Sequence, residues 1–237
     1  MRFYYKIGRV ILSFICLILF SQSLIFAQND TNLKTEIYAK LKCCPCKNSF
    51  AKCTCPEAKE IKAYVDALLE AGLSKEDIFY KVAKKFSLNT ILDQQIKIEV
   101  EKRIIKEAGE KRPQITIEPT SFDLGQVTKK QGKISRILKL SNKGNSNLSI
   151  KHIKTSCPCA SVSLAVGKNK SAFFSTEGSP KDWQSQIIPG QSAELELMVD
   201  LASPHVKPGK LIRDASIISN DPVYPELTVR VDAEVKD

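Results

Sequence analysis

Cysteine is the residue whose placement in this 237-residue chain promises chemistry. There are eight: Cys16 in an apolar N-terminal run, Cys43, Cys44, Cys46, Cys53 and Cys55 within thirteen residues, and Cys157 and Cys159 either side of Pro158. Cys43-x-x-Cys46 has the spacing of dithiol/disulfide redox pairs, because the short loop lets the sulfurs meet and a following helix supports a thiolate. Cys53 and Cys55 immediately precede a helical pattern, where unpaired amide N–H groups and the helix dipole favour negative charge on sulfur. Lys42, Lys47 and Lys52 add positive potential. The same cluster offers Cys43, Cys46, Cys53 and Cys55 as four soft thiolates, a ligand set for tetrahedral zinc or for copper(I). A third reading is structural: ordinary disulfides that staple a small helical head. Spacing alone leaves all three open.

Leaving Cys16 aside, seven cysteines remain, and an odd number cannot all pair within one chain. Adjacent Cys43 and Cys44 do not both point inward easily, so Cys44 is the candidate for the odd thiol. Cys157 and Cys159 are read as a secondary redox pair or as two buried small hydrophobes. A bridge over a single intervening residue is strained and so easier to reduce.

The elements that must carry these thiols differ in period between the two halves of the chain. Residues 30–109 are helical in pattern. Leu33, Ile37 and Leu41 predict a short first helix. Thr54 and Glu57 form a capping-box signature before a second, whose apolar face is Ala58, Ile61, Val65 and Leu68 and whose stop is Gly72. Ser74 and Asp77 open a third, burying Ile78, Phe79, Val82, Ala83 and Phe86. Residues 93–108 read as one more helix, with Ile96, Val100 and Ile104. From Ile115 the period becomes two. Leu227, Val229, Val231, Ala233 and Val235 alternate with polar residues, as do Ala193, Leu195, Leu197 and Val199. Turn signals at Asn142-Lys143-Gly144, Pro189-Gly190, Pro208-Gly209 and Asn220-Asp221-Pro222 separate such runs. The expected fold class is α+β multidomain: a small three-helix bundle, then an antiparallel Ig-like β-sandwich. Lys168–Gln186 fits no strand pattern and is expected to be a loop. The expected organisation is residues 1–27 as signal or anchor, 28–92 as the helical bundle with its cysteine cluster, 93–112 as a helical linker and 113–237 as the sandwich.

Residues 1–27 read as a secretory signal peptide, with Arg2, Lys6 and Arg9 ahead of an apolar run from Val10 to Phe20. The alternative is a retained membrane anchor formed by residues 10–27, at the short edge of a membrane span. Either places the rest of the chain in the periplasm or another extracytoplasmic space. The formal charge of +10 loses three units with that segment, leaving 33 basic and 26 acidic residues. These are interspersed along helical faces, with no basic cluster carrying aromatics, so no nucleic-acid partner is expected. A 43% hydrophobic composition excludes a wholly disordered chain. His152 and His205 are isolated, and no G-x-S-x-G elbow or phosphate loop is present, so hydrolase and nucleotide chemistry lack support.

Two resemblances add to this reading. Leu41-Lys42-Cys43-Cys44-Pro45-Cys46-Lys47 resembles the L-R-C-x-x-C-Q signature of the CcmH-type family (also CycL and NrfF) of cytochrome c biogenesis proteins. Pro56-Glu57-Ala58-Lys59-Glu60-Ile61 and Ala71-Gly72-Leu73-Ser74-Lys75-Glu76-Asp77-Ile78 extend the likeness over residues 33–92. The resemblance implies a periplasmic three-helix bundle, with Cys43 and Cys46 as the redox pair. Its partner would be apocytochrome c or another thiol–disulfide protein, and haem would enter only through that partner. Cys44, Cys53 and Cys55 depart from the family's pattern, and its following membrane helix is replaced by a charged helix and a β-domain. Residues 115–237 resemble a bacterial family of Ig-like domains of unknown function. The matching features are Phe122-Asp123-Leu124-Gly125, Asn142-Lys143-Gly144, Ser156-Cys157-Pro158-Cys159 and Ser219-Asn220-Asp221-Pro222. The expected function is therefore an extracytoplasmic thiol–disulfide protein assisting cytochrome c maturation, and if an enzyme, a thiol–disulfide oxidoreductase. The alternatives are a zinc- or copper-binding module and a structural Ig-like protein with a stapled head.

Overall fold

A computed structural model describes residues 32–42 and 50–236. The chain divides into two compact units, Met1–Val100 and Glu101–Asp237.

The first unit is helical. Helix α1 spans 32–39. It ends before Leu41, which the sequence pattern placed on its face. Leu41 instead forms a β-bridge with Ile91. Backbone bonds from Lys42 N–H to the Thr90 carbonyl (2.8 Å) and from Leu92 N–H to the Lys40 carbonyl (2.8 Å) flank that bridge. Helix α2 runs Pro56–Glu70 and buries Ala58, Ile61 and Val65. Gly72 stops it with φ 70°, a left-handed conformation that costs glycine nothing, and the Leu73 N–H returns to the Leu68 carbonyl. Helix α3, Lys75–Lys85, is capped by Ser74, whose side chain accepts from the Asp77 N–H, and buries Ile78, Phe79, Val82 and Ala83. Helix α4 spans Gln94–Ala108, so the Ile96, Ile98, Val100 alternation resolves to helix rather than strand. Asp93 starts it by accepting from the Gln95 and Ile96 amides.

The second unit is a sandwich of two five-stranded sheets. One has the order β1-β3-β8-β5-β6 and the other β2-β10-β9-β4-β7. The strands are β1 Ile115–Glu118, β2 Ser121–Thr128, β3 Lys133–Asn142, β4 Leu148–Thr155, β5 Ala160–Val166, β6 Asn169–Lys170, β7 Ser185–Ile187, β8 Ser192–Asp200, β9 Gly209–Ser219 and β10 Glu226–Lys236. Pairing is antiparallel except that β2 lies parallel to β10. That pair departs from the all-antiparallel sandwich expected from alternation, because a period of two is the same for either strand direction. The stretch expected to be a loop carries structure of its own. Besides β6 and the start of β7, Phe174 bridges Val162 and packs edge-on against Trp183 at 5.0 Å.

The turn signals are anchors as well as breaks. Asn142 is fully buried; its amide donates to the Ser146 and Ile187 carbonyls and its oxygen accepts from the Gln114 and Gly144 amides. Asp221, 1% exposed, accepts from the Ile115, Val223 and Tyr224 amides. Asp221 thereby satisfies the buried amide at the start of β1, and Asn142 the half-buried Gln114 amide just before it.

Candidate functional site

Two Cys-x-Cys pairs lie among the described residues. Cys53 and Cys55 occupy the connection into α2, just after a 3-10 turn at Phe50–Lys52. The helix cap is Cys55, not the Thr54 of the expected capping box. Its sulfur accepts from the Ala58 N–H at 3.4 Å, in the role an N-cap hydroxyl usually plays. The Cys53 thiol contacts the Cys55 sulfur at 3.4 Å. Cys53 is 4% exposed and Cys55 is half-buried, so Cys55 is the more exposed residue of the pair. Lys62, nearly two turns along α2, holds the loop down by donating to the Ala51 and Cys53 carbonyls, both at 2.8 Å. Its ammonium also lies 5.5 Å from the Phe50 ring. Phe50 in turn packs edge-on against Tyr38, whose hydroxyl donates to Asp66. Burial, then the Asp66 carboxylate, pushes the Tyr38 phenol above its ordinary range.

Cys43, Cys44 and Cys46 lie outside the described residues. Of the four expected metal ligands, only Cys53 and Cys55 are described. Among the described residues no group of three or more His, Cys, Asp or Glu side chains is placed to hold a metal ion. The apolar run 10–27 also lies outside them, and no described helix is long and apolar enough to cross a membrane.

The second pair is closed: Cys157 and Cys159 form a disulfide. Their turn carries the chain from β4 in one sheet to β5 in the other. Backbone and side-chain bonds fix it independently of the bridge. The Thr155 hydroxyl lies 3.0 Å from both the Cys157 and Ala160 carbonyls, the Ala160 N–H donates to the Cys157 carbonyl, and the Asp200 N–H donates to the Cys159 carbonyl. Ser156 is tied twice to Asp214 on β9. The Cys159 N–H donates to the Cys157 sulfur at 3.1 Å.

Beside this bridge stands Arg213, a residue the sequence reading passed over. Its Nε donates to the Cys159 sulfur at 2.9 Å. Its remaining nitrogens donate to the Ile212 and His205 carbonyls. The signal was present in the alternation of β9, where Arg213 shares the core-facing parity of Leu211, Ala215 and Ile217, all buried. A cation on an apolar face is the anomaly that marks it.

Residues 113–234 match the HYDIN/CFA65/VesB-like Ig-like domain. The chain belongs to that family. The match confirms an Ig-like domain in the C-terminal half, while no comparison supports a CcmH-type domain at 33–92. Solved structures match about half of this chain, at low identity. A protein of unknown function from Porphyromonas gingivalis W83 is 22% identical with a TM-score of 0.39, covering 53% of this chain and 49% of its own. The Vibrio cholerae VesB protease is 16% identical with a TM-score of 0.35, covering 56% and 34%. The YadV chaperone is 13% identical with a TM-score of 0.33, covering 52% of each. This chain thus spans about half or less of the length of the first two. No curated protein matches it.

Proposed function

We propose that the chain is an extracytoplasmic thiol–disulfide protein whose exchange centre is the cysteine cluster ahead of α2. The observation that carries this reading is the Cys53/Cys55 pair: two sulfurs 3.4 Å apart, one of them capping a helix by accepting a backbone amide. In that environment sulfur accepts a hydrogen bond at the start of a helix, a setting in which exchange-active cysteines are commonly placed. Cys43 and Cys46 supply the exchanging dithiol in this reading. One attacks a client disulfide, the other resolves the mixed disulfide, and Cys55 is the more exposed member of the neighbouring Cys53/Cys55 pair. An extracytoplasmic location is supported by the basic then apolar start of the chain and by the Cys157–Cys159 bridge, which belongs to an oxidising compartment. The client class proposed from the CcmH resemblance is an apocytochrome c.

Thiol titration and metal analysis on one anaerobically purified sample of the full chain test the reading. Two or more titratable thiols with no bound metal are expected. Stoichiometric zinc or copper with titratable thiols lost would overturn it in favour of a metal site. For the client, a Cys43→Ser/Cys46→Ser double variant that still supports holocytochrome c formation in a complementation assay rules out apocytochrome c.

A further inference from the structure

We propose that the Cys157–Cys159 bridge of the Ig-like domain is a second redox site, an oxidant for protein dithiols, with Arg213 as the positioning residue for its leaving thiolate. The argument stands on the placement of one cation. Arg213 occupies a core-facing position on β9, yet among the described residues it makes no ion pair. Burial lowers its pKa, and only its Nε points inward, the two terminal nitrogens bonding carbonyls on the solvent side. The neighbouring acid does not relieve it, because Asp214 is held in a two-point pair by Arg230 at 2.7 and 2.8 Å. What Arg213 does address is sulfur. A disulfide sulfur is a weak acceptor, whereas a thiolate in the same place takes a charge-assisted hydrogen bond and neutralises the cation. The site is therefore better matched to its reduced form than to its oxidised one, and a reduced form so stabilised makes a disulfide more oxidising.

The geometry also sets the direction of attack. Both cysteines are buried in the sandwich core, Cys157 at 7% exposure and Cys159 at 2%, so Cys157 is the less deeply covered residue and the one a client approaches first. Cys157 receives only a neutral amide, while Cys159 receives the guanidinium. A thiolate of the client dithiol attacks Cys157 Sγ, the Cys157–Cys159 bond breaks, and its electron pair passes to Cys159 as a thiolate held by Arg213. The client's second thiol loses its proton to solvent and attacks the client sulfur of the mixed disulfide. Cys157 leaves as a thiolate and is protonated. The client is oxidised by two electrons to a disulfide, and the bridge is reduced to a Cys157 thiol and a Cys159 thiolate. The turn keeps its shape through these steps, because its carbonyls are bonded to Thr155, Ala160 and Asp200 whether or not the sulfurs are joined.

The test uses the full chain with dithiothreitol as the dithiol, with alkylation of Cys157 and Cys159 followed by mass mapping. Reading only these two cysteines keeps the result separate from the head cluster, so either site can fail alone. Arg213→Gln is expected to slow reduction of the bridge by about tenfold or more, as loss of a charge-assisted contact to the leaving sulfur predicts. In the reduced protein it should shift the alkylation profile of Cys159 to higher pH, with partial rescue by Arg213→Lys. A merely structural arginine would alter unfolding without moving that profile. In the wild type, a monothiol such as cysteamine is expected to be trapped on Cys157. Equal reduction rates in folded Arg213→Gln and wild type, or trapping on Cys159, would overturn the proposal. The trapping measurement decides the matter even if the glutamine variant does not fold.

Discussion

Replacing Lys62 with methionine isolates the contact that pins the cysteine loop to α2. The ammonium makes two hydrogen bonds, to the Ala51 and Cys53 carbonyls, each 2.8 Å long. A bond from a charged donor contributes about 1.5–3 kcal/mol when fully buried. Here one of the two is exposed and the other half-buried, and water takes up the freed carbonyls, so the pair together stabilises the closed loop by about 1–2 kcal/mol. Cys53 is 4% exposed, so a reagent reaches it only when the loop opens. Removing 1–2 kcal/mol from that opening free energy raises the open population about 5- to 30-fold. The assay is the rate of iodoacetamide modification at Cys53, followed by peptide mapping under conditions where opening is fast. Methionine keeps a side chain of similar length but also removes the ammonium from beside the Phe50 ring, and Lys59→Met, exposed on the same helix, controls for loss of charge. A Cys53 rate unchanged in Lys62→Met, or raised equally in Lys59→Met, would refute the reasoning.

Two further outcomes follow from the same style of argument. A hydrogen bond from Lys40, then amide bonds from the start of α4, hold Asp93 below its ordinary carboxylate range. Its contribution to stability is thus complete above the unfolded carboxylate value of about 4 and is lost as pH falls through the folded value. The difference in melting temperature between wild type and Asp93→Asn should accordingly shrink on acidification below about pH 4; a difference independent of pH contradicts the assignment. At Gly144 an added Cβ would lie 2.3 Å from the Arg112 carbonyl oxygen and 2.6 Å from the Gln114 nitrogen, both backbone atoms. Gly144→Ala should destabilise the sandwich by about 1–3 kcal/mol in denaturant titration, and an unchanged midpoint would show that the 112–114 segment yields freely.

Helix and strand positions were legible because each reports on its own neighbours. The faces of α2 and α3 follow a 3.6-residue period, and the inward residues of β8 and β10 a period of two, so local hydrophobicity suffices to locate them. Ser74 was readable as a cap for the same reason. The cap of α2 was not. Threonine is the commoner capping residue, and only the observed backbone shows that sulfur takes the place one position later. Leu41 was misplaced because an apolar residue four beyond Ile37 continues a helical stripe whether or not the chain does. Its partner Ile91 lies far along the sequence, and a bridge between them leaves no local trace.

The candidate sites divide along the same line. That cysteines cluster, that two of them flank a proline in a β-domain, and that the chain begins basic and then apolar are properties of order along the chain, and the sequence by itself determined them. Which atoms face those sulfurs is a property of contact. Arg213 lies 54 residues from Cys159, and their meeting depends on β9 pairing with β4 while the turn after β4 crosses to the other sheet. Lys62 reaches Cys53 because α2 folds its first turns back over the loop that precedes it. The tertiary structure alone decided these meetings, because periodicity records which face a residue is on and carries no information about what the opposing face presents.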